Sequence, residues 1–157
     1  MKIAVGSDKS GFVLKSPLLE HVRGKGHEAD DHGTHQIEKP APFTRTATSV
    51  AKAVASGAAD RGILICGTGM GMAITANKTR GAYAAVTESV YAAKMCRWIN
   101  NANILCLGAF ILGETMAKEM VDAFLTTEFT AGMEQWRVDL LAGQLGILKE
   151  IEGEHFK

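Results

Sequence analysis

Apolar and polar positions along this chain change period in a regular rhythm. Short apolar runs at Ile3–Gly6, Gly62–Cys66, Ala82–Val86 and Asn103–Leu107 predict buried strands, and a weaker, polar run near Glu28–Asp31 predicts a fifth. Between them lie stretches of helical spacing, from about Gly11 to His21, Thr44 to Ser56, Ser89 to Trp98 and Glu114 to Leu125. A further helix is expected to leave a glycine loop after Cys66 and run to about Lys78. Gly24, Gly26 and Gly57 follow predicted helices, where a left-handed residue ends the turn. Strands interleaved with helices predict an α/β fold with a parallel sheet covered on both faces. The tail Glu134–Glu152 carries Trp136, Val138, Leu140, Leu141, Leu145, Ile147 and Leu148 mostly at helical spacing, and predicts one more helix.

The chain has 157 residues, a length that suits one domain over residues 1–157. Its 17 basic and 17 acidic side chains balance, so no net charge draws it to nucleic acid or an anionic membrane, and a small-molecule role is favoured. No apolar run approaches the roughly 20 residues of a membrane span, and the start lacks a signal peptide's layout. Three cysteines, Cys66, Cys96 and Cys106, form no CxxC pair, which fits free thiols in a reducing cytoplasm. Cys and His do not cluster at ligand spacing, so no metal is expected. His21, His27, His32 and His155 read as surface residues; His35 stays a candidate because it lies in the long loop Gly33–Pro42.

The segment Ile63-Leu64-Ile65-Cys66-Gly67-Thr68-Gly69-Met70-Gly71-Met72 carries the chemistry. It places a cysteine where a parallel strand ends and a helix begins. Backbone N–H groups of such a loop favour negative charge, on a bound oxyanion or on a sulfur. The pattern reads as a place to take a proton from carbon and hold the resulting enolate. Alone, a cysteine ending an apolar strand is usually core filler; three glycines beside it tip the balance, since glycine is costly where close backbone approach is not needed. Neither GxGxxG nor a P-loop fits. Cys96, Cys106, Met70 and Met72 read as packing residues.

Ligands of open α/β sheets bind beyond the carboxyl ends of the strands, where Asp8, Cys66 and the Gly108 loop are expected to converge. Asp8-Lys9-Ser10-Gly11 follows the first strand. Asp8 or Ser10 is either a helix cap with Lys9 a solvated charge, or Asp8 holds a substrate hydroxyl and Lys9 a phosphate or carboxylate. Asn100-Asn101-Ala102-Asn103 precedes a strand, and turn chemistry alone explains asparagines there.

The opening Gly-Ser-Asp-Lys-Ser-Gly-Phe, the core Cys-Gly-Thr-Gly-x-Gly followed by Ala-Asn-Lys, Gly57 and Val121–Phe129 closely resemble the ribose-5-phosphate isomerase B / galactose-6-phosphate isomerase family. The likeness runs from Met1 to about Val138. It implies a Rossmann-like three-layer α/β/α domain with a five-stranded parallel sheet, a homodimer or dimer of dimers, and no metal or organic cofactor. It also implies aldose–ketose isomerisation of a sugar or sugar phosphate through a cis-enediolate. Cys66 would be the base; Gly67, Thr68, Gly69 and Gly71 would stabilise the enediolate; Asp8 and Asn100 would hold substrate oxygens. Arg137 would reach the phosphate in the neighbouring subunit, and a site shared across a dimer explains how Asn100 takes part.

The departures from the family pattern are as informative. Ile99 stands where its ribose isomerases carry the ring-opening histidine, and Lys9 where they carry a phosphate-contacting histidine. Phe110, Met133 and Tyr83 replace arginines, and Phe43 aligns loosely with a tyrosine. Charge-assisted phosphate contacts contribute roughly 1.5–3 kcal/mol each. The expected substrate is therefore an open-chain or differently phosphorylated sugar, such as a tetrulose phosphate, rather than plain ribose 5-phosphate. Two other readings stay open: a non-catalytic partner subunit of a hetero-oligomeric isomerase, and a sugar-phosphate-binding regulatory protein. Residues 139–157 leave the resemblance and are expected to form a helical extension packed on the partner subunit.

Overall fold

The computed structural model describes residues 1–156, so the last residue of the expected extension lies outside the described residues. In chain order the elements are β1 (Lys2–Ser7), α1 (Phe12–Gly24), β2 (Glu28–Gly33), α2 (Phe43–Ala55), β3 (Arg61–Cys66) and α3 (Met70–Ala76). They continue with β4 (Ala84–Val86), α4 (Val90–Trp98), β5 (Ile104–Gly108), α5 (Glu114–Thr126) and α6 (Gln135–His155). The five strands form one parallel sheet in the order β2-β1-β3-β5-β4.

The two-residue period of the strands sorts the core into two layers. Ile3, Val5, Ile63, Ile65, Leu105 and Leu107 pack with Leu18 and Val22 of α1, Ala93 of α4, and Met120 and Phe124 of α5. Ala4, Leu64, Cys66, Ile104 and Cys106 pack on the other side with Val50 of α2 and Met72 of α3. Each fully buried aliphatic or aromatic side chain contributes about 1.5–3 kcal/mol. The fold is thus the expected Rossmann-like α/β/α sandwich. From β1 the chain crosses to β2 on one side and then to β3 on the other. That reversal opens a crevice over the carboxyl ends of β1 and β3.

Local chemistry moved some boundaries. β4 begins at Ala84 rather than Ala82 because the Asn103 carboxamide takes the Tyr83 N–H at 2.7 Å and donates to the Gly81 carbonyl at 2.8 Å. The Asn77 carboxamide then pairs with both backbone groups of Ala84, at 2.7 and 2.9 Å, and so caps this edge strand. α3 stops at Ala76, short of Lys78. β2 reaches Gly33 despite its polarity, because β1 pairs with it along its whole length.

α1 and β3 come so close that a Cβ on Gly11 would stand 2.3 Å from the Ile65 carbonyl oxygen. Backbone cannot yield there, so Gly11→Ala is expected to lower stability by about 3 kcal/mol, read as a shift of the urea midpoint at constant m value. A shift under a third of that would show that the two elements can part.

Candidate active site

The crevice gathers the first half of the expected residues. Asp8 leaves β1 with its N–H donating to the Ile65 carbonyl at 3.3 Å, and its Oδ1 accepts the Gly11 N–H at 2.9 Å. Gly11 is the residue that caps α1, with no side-chain cap, so neither Asp8 nor Ser10 takes the expected capping role; Asp8 closes the turn before the helix, and its second carboxylate oxygen is left over for a substrate. Lys9 is exposed beside it.

Cys66 ends β3 opposite Gly108 of β5, buried with 6% of its surface exposed. Gly69 adopts φ +78°, a left-handed conformation that L side chains rarely take, and this turn aims its N–H at the Cys66 Sγ at 3.1 Å. Among the described residues no acceptor takes the N–H groups of Gly67, Thr68 or Gly71. Thr68 is exposed at the crest of the loop, and its Oγ1 accepts the Met70 N–H at a long 3.4 Å. A sulfur with unpaired backbone donors around it can exchange a proton with carbon and hold the oxyanion that forms.

Apolar surface walls this loop. The Phe110 ring lies over Gly67, where an added Cβ would meet it at 2.5 Å, and the Phe43 ring lies over Gly71, at 3.0 Å from such a Cβ. Phe110 is 76% exposed. Met70, expected to pack, is instead 51% exposed at the mouth, while Met72 is fully buried as expected. Cys106 and Cys96 are buried, and burial pushes the Cys96 thiol up to about 11, which suits packing rather than chemistry. His35 is exposed and pairs with Asp31 at 3.3 Å, away from the sulfur's hydrogen-bond shell.

The second half of the expected residues lies at the other end of the sheet. Asn100 follows α4 and precedes β5, whose first residue pairs with Gly62 and whose last pairs with Cys66. Five strand residues at about 3.3 Å each separate the two levels by roughly 15 Å. The Arg137 guanidinium stacks 5.4 Å from the Trp98 ring at the end of α4. The turn bearing Met133 folds on the same residue, with the Trp98 Nε1 donating to the Ala131 carbonyl at 2.8 Å. Ile99 and Asn100 line an open groove of about 350 Å³ with Leu141, Gln144, Leu145 and Leu148 of α6. Tyr83 lies at this end too, with its hydroxyl donating to Glu152 of α6 at 3.1 Å.

One chain thus holds two half-sites, Asp8–Lys9–Cys66–Gly71 at the carboxyl ends of the strands and Ile99–Asn100–Arg137 at the amino ends. The sequence placed Leu141, Leu145 and Leu148 on a helix expected to pack on the partner subunit, and did not foresee that they line a groove with Ile99 of their own chain. The signal for that groove was the spacing of the three leucines on one helix face.

Comparison with known proteins places these residues in a family context. A family model described as Ribose/Galactose Isomerase matches residues 3–141. A 4-deoxy-4-sulfo-D-erythrose isomerase of Clostridium sp. (strain MSTE9) is 50% identical over 153 residues, with 96% of each chain covered. A ribose-5-P isomerase B of Listeria innocua is 42% identical, covering 90% of this chain and 95% of that one. The solved structure of ribose-5-phosphate isomerase B from Clostridium thermocellum superposes with TM-score 0.90 at 41% identity, covering 99% of both chains.

Proposed function

Because the chain belongs to the Ribose/Galactose Isomerase family and is an aldose–ketose isomerase, we propose that it interconverts a four-carbon aldose and ketose bearing a terminal sulfonate or phosphate. The observation that carries this reading is Ile99, which lines one groove with Leu141 and Leu145, where a ring-opening acid would be needed. A five-carbon aldose phosphorylated at its end keeps a free C4 hydroxyl and closes into a furanose, so an acid must open it first. A four-carbon aldose whose C4 carries the anion has no hydroxyl able to reach C1 in a five-membered ring. It stays open, and isoleucine at position 99 costs it nothing.

The anion fits the sulfonate named for the relative that is 50% identical. A phosphate carries about −1.5 to −2 charges at neutral pH, a sulfonate only one. The cations left for it are Lys9 and Arg137, while Phe110 and Met133 offer apolar surface. In the proposed step Cys66, as thiolate, takes the proton from the carbon beside the carbonyl. The electron pair moves onto the carbonyl oxygen, which the N–H groups of Gly67, Thr68 and Gly71 receive. The proton of the hydroxyl on the deprotonated carbon then passes to that oxygen, while the Cys66 thiol returns the same proton, or one exchanged with solvent, to the former carbonyl carbon, which leaves the carbonyl on its neighbour. The free Asp8 oxygen and Asn100 hold substrate hydroxyls.

Assembly follows from the two half-sites. A second copy, related by a twofold axis, brings Asn100 and Arg137 of one subunit to Cys66 of the other, giving a homodimer or dimer of dimers. It also covers α6, which buries no residue and leaves Trp136, Leu140, Ile147 and Ile151 exposed. Among the described residues no helix is long and apolar enough to cross a membrane.

Turnover of a panel of sugars in D2O, followed by NMR, tests the substrate. The C4 sulfonate is expected to exceed ribose 5-phosphate in kcat/KM by about 100-fold, the lower end of what a positioned ring-opening acid would supply. Equal or faster turnover of ribose 5-phosphate would remove the argument from Ile99.

A further inference from the structure

Beneath the turn that ends in Asn100 lies an open cavity of about 480 Å³, on the far side of the sheet from Cys66. Arg61, Arg97 and Lys149 line it with Tyr83, Asn101 and Asn103, together with the carboxylates of Asp60 and Glu128, and the Asp60 carboxylate already accepts the Lys2 N–H at 2.7 Å. The two arginines are buried, 5% and 6% exposed, and flank the Phe124 ring at 5.7 and 6.0 Å. Buried guanidinium groups need matching acceptors. Arg61 has them: the carbonyls of Phe124 and Leu125 at 2.6 and 2.7 Å and the Glu128 carboxylate at 2.7 Å.

Arg97 does not. Its Nη1 donates to the Asn101 side chain at 2.9 Å and to the Ala102 carbonyl at 2.7 Å. Its Nη2 has only a long 3.7 Å contact with Glu128, and its buried Nε has no partner. The single carboxylate that serves both arginines is itself 66% exposed. Lys149 has no ion pair among the described residues. Burial first, and then the charge of Arg61, pull the Arg97 guanidinium below its ordinary range.

We propose that this cavity is a second anion site, in which Arg97, Arg61 and Lys149 take a phosphate or sulfonate group of a small metabolite as Glu128 swings into solvent. The anion supplies the acceptors that Nε and Nη2 of Arg97 lack. Arg97 also holds the Asn101–Ala102 turn, so occupancy is felt one residue away at Asn100.

The test is a titration of ¹⁵N-labelled full-length protein with inorganic phosphate, and separately with sulfate, at ionic strength held constant with NaCl. The Arg97 Nε–Hε signal, the Asn101 and Asn103 carboxamides and the Asn100 N–H are followed. All are expected to shift together and saturate with one dissociation constant, which Lys149→Glu raises at least fivefold. The Lys9→Ala/Arg137→Ala double variant, which removes the cations of the substrate site, is expected to leave that constant within twofold. A linear, unsaturated drift would mean an adventitious ion only. Loss of the shifts in the double variant would assign the anion to the substrate site, and either result overturns the proposal. Saturation at Arg97 with Asn100 unmoved would overturn the link to the turn.

Discussion

Mixed in equal amounts and left to exchange subunits, a Cys66→Ala protein and an Asn100→Ala protein will recover about a quarter of wild-type activity, although each alone is nearly inactive. Random exchange makes half of the dimers mixed, and in a twofold dimer with shared sites each mixed pair has one intact site and one doubly damaged site. The expectation rests on the sheet register, which puts Gly62 opposite Ile104 and Cys66 opposite Gly108. Asn100, before β5, cannot reach the sulfur of its own chain across that length. The measurement is initial rate against time after mixing, with each variant alone as a baseline. A mixture no more active than the sum of its parts would place both residues in one subunit's site, against the topology described above.

Deuterium exchange into the substrate will fall by about 10³-fold in Cys66→Ala, the span that a positioned general base supplies. The substituted thiol is buried but small, so stability should change by about 1 kcal/mol, within the range of a lost methylene-sized group. Substrate binding should persist, because Asp8, Asn100 and Arg137 are untouched. This combination separates chemistry from folding: exchange collapses while affinity holds and the melting temperature moves by only about 2–4 °C. If exchange survived at more than a tenth of the wild-type rate, the base would have to be sought elsewhere, and the Gly69 N–H directed at sulfur would have only a structural part.

Much of this fold was legible because the strands at its centre are buried on both faces. β1, β3 and β5 show up as apolar runs, and the helices as a 3.6-residue period. β2 was weaker because its partner β1, rather than its own side chains, holds it in the sheet. The strand order was not legible at all: nothing local in Ala84–Val86 says that β5 will slip between it and β3. Within the site, Cys66 and its glycines were readable because three glycines in five residues are hard to explain otherwise. The proposed role of Asn100 came from the family resemblance rather than from local pattern, since a turn asparagine looks the same whether or not a second chain uses it. Met70 was misread for a similar reason: an apolar residue at a helix start signals burial unless another surface is waiting for it.

The donors that the proposed step aims at the developing oxyanion belong to the main chain, so only a change to proline, which lacks an N–H, deletes one. Mutation can redraw Ile99 and Met133 at the far end of the sheet, and Phe110 over Gly67, without removing those donors. A chain built this way can change its sugar without changing its chemistry, and its relatives are named for a ribose phosphate and for a sulfonated tetrose.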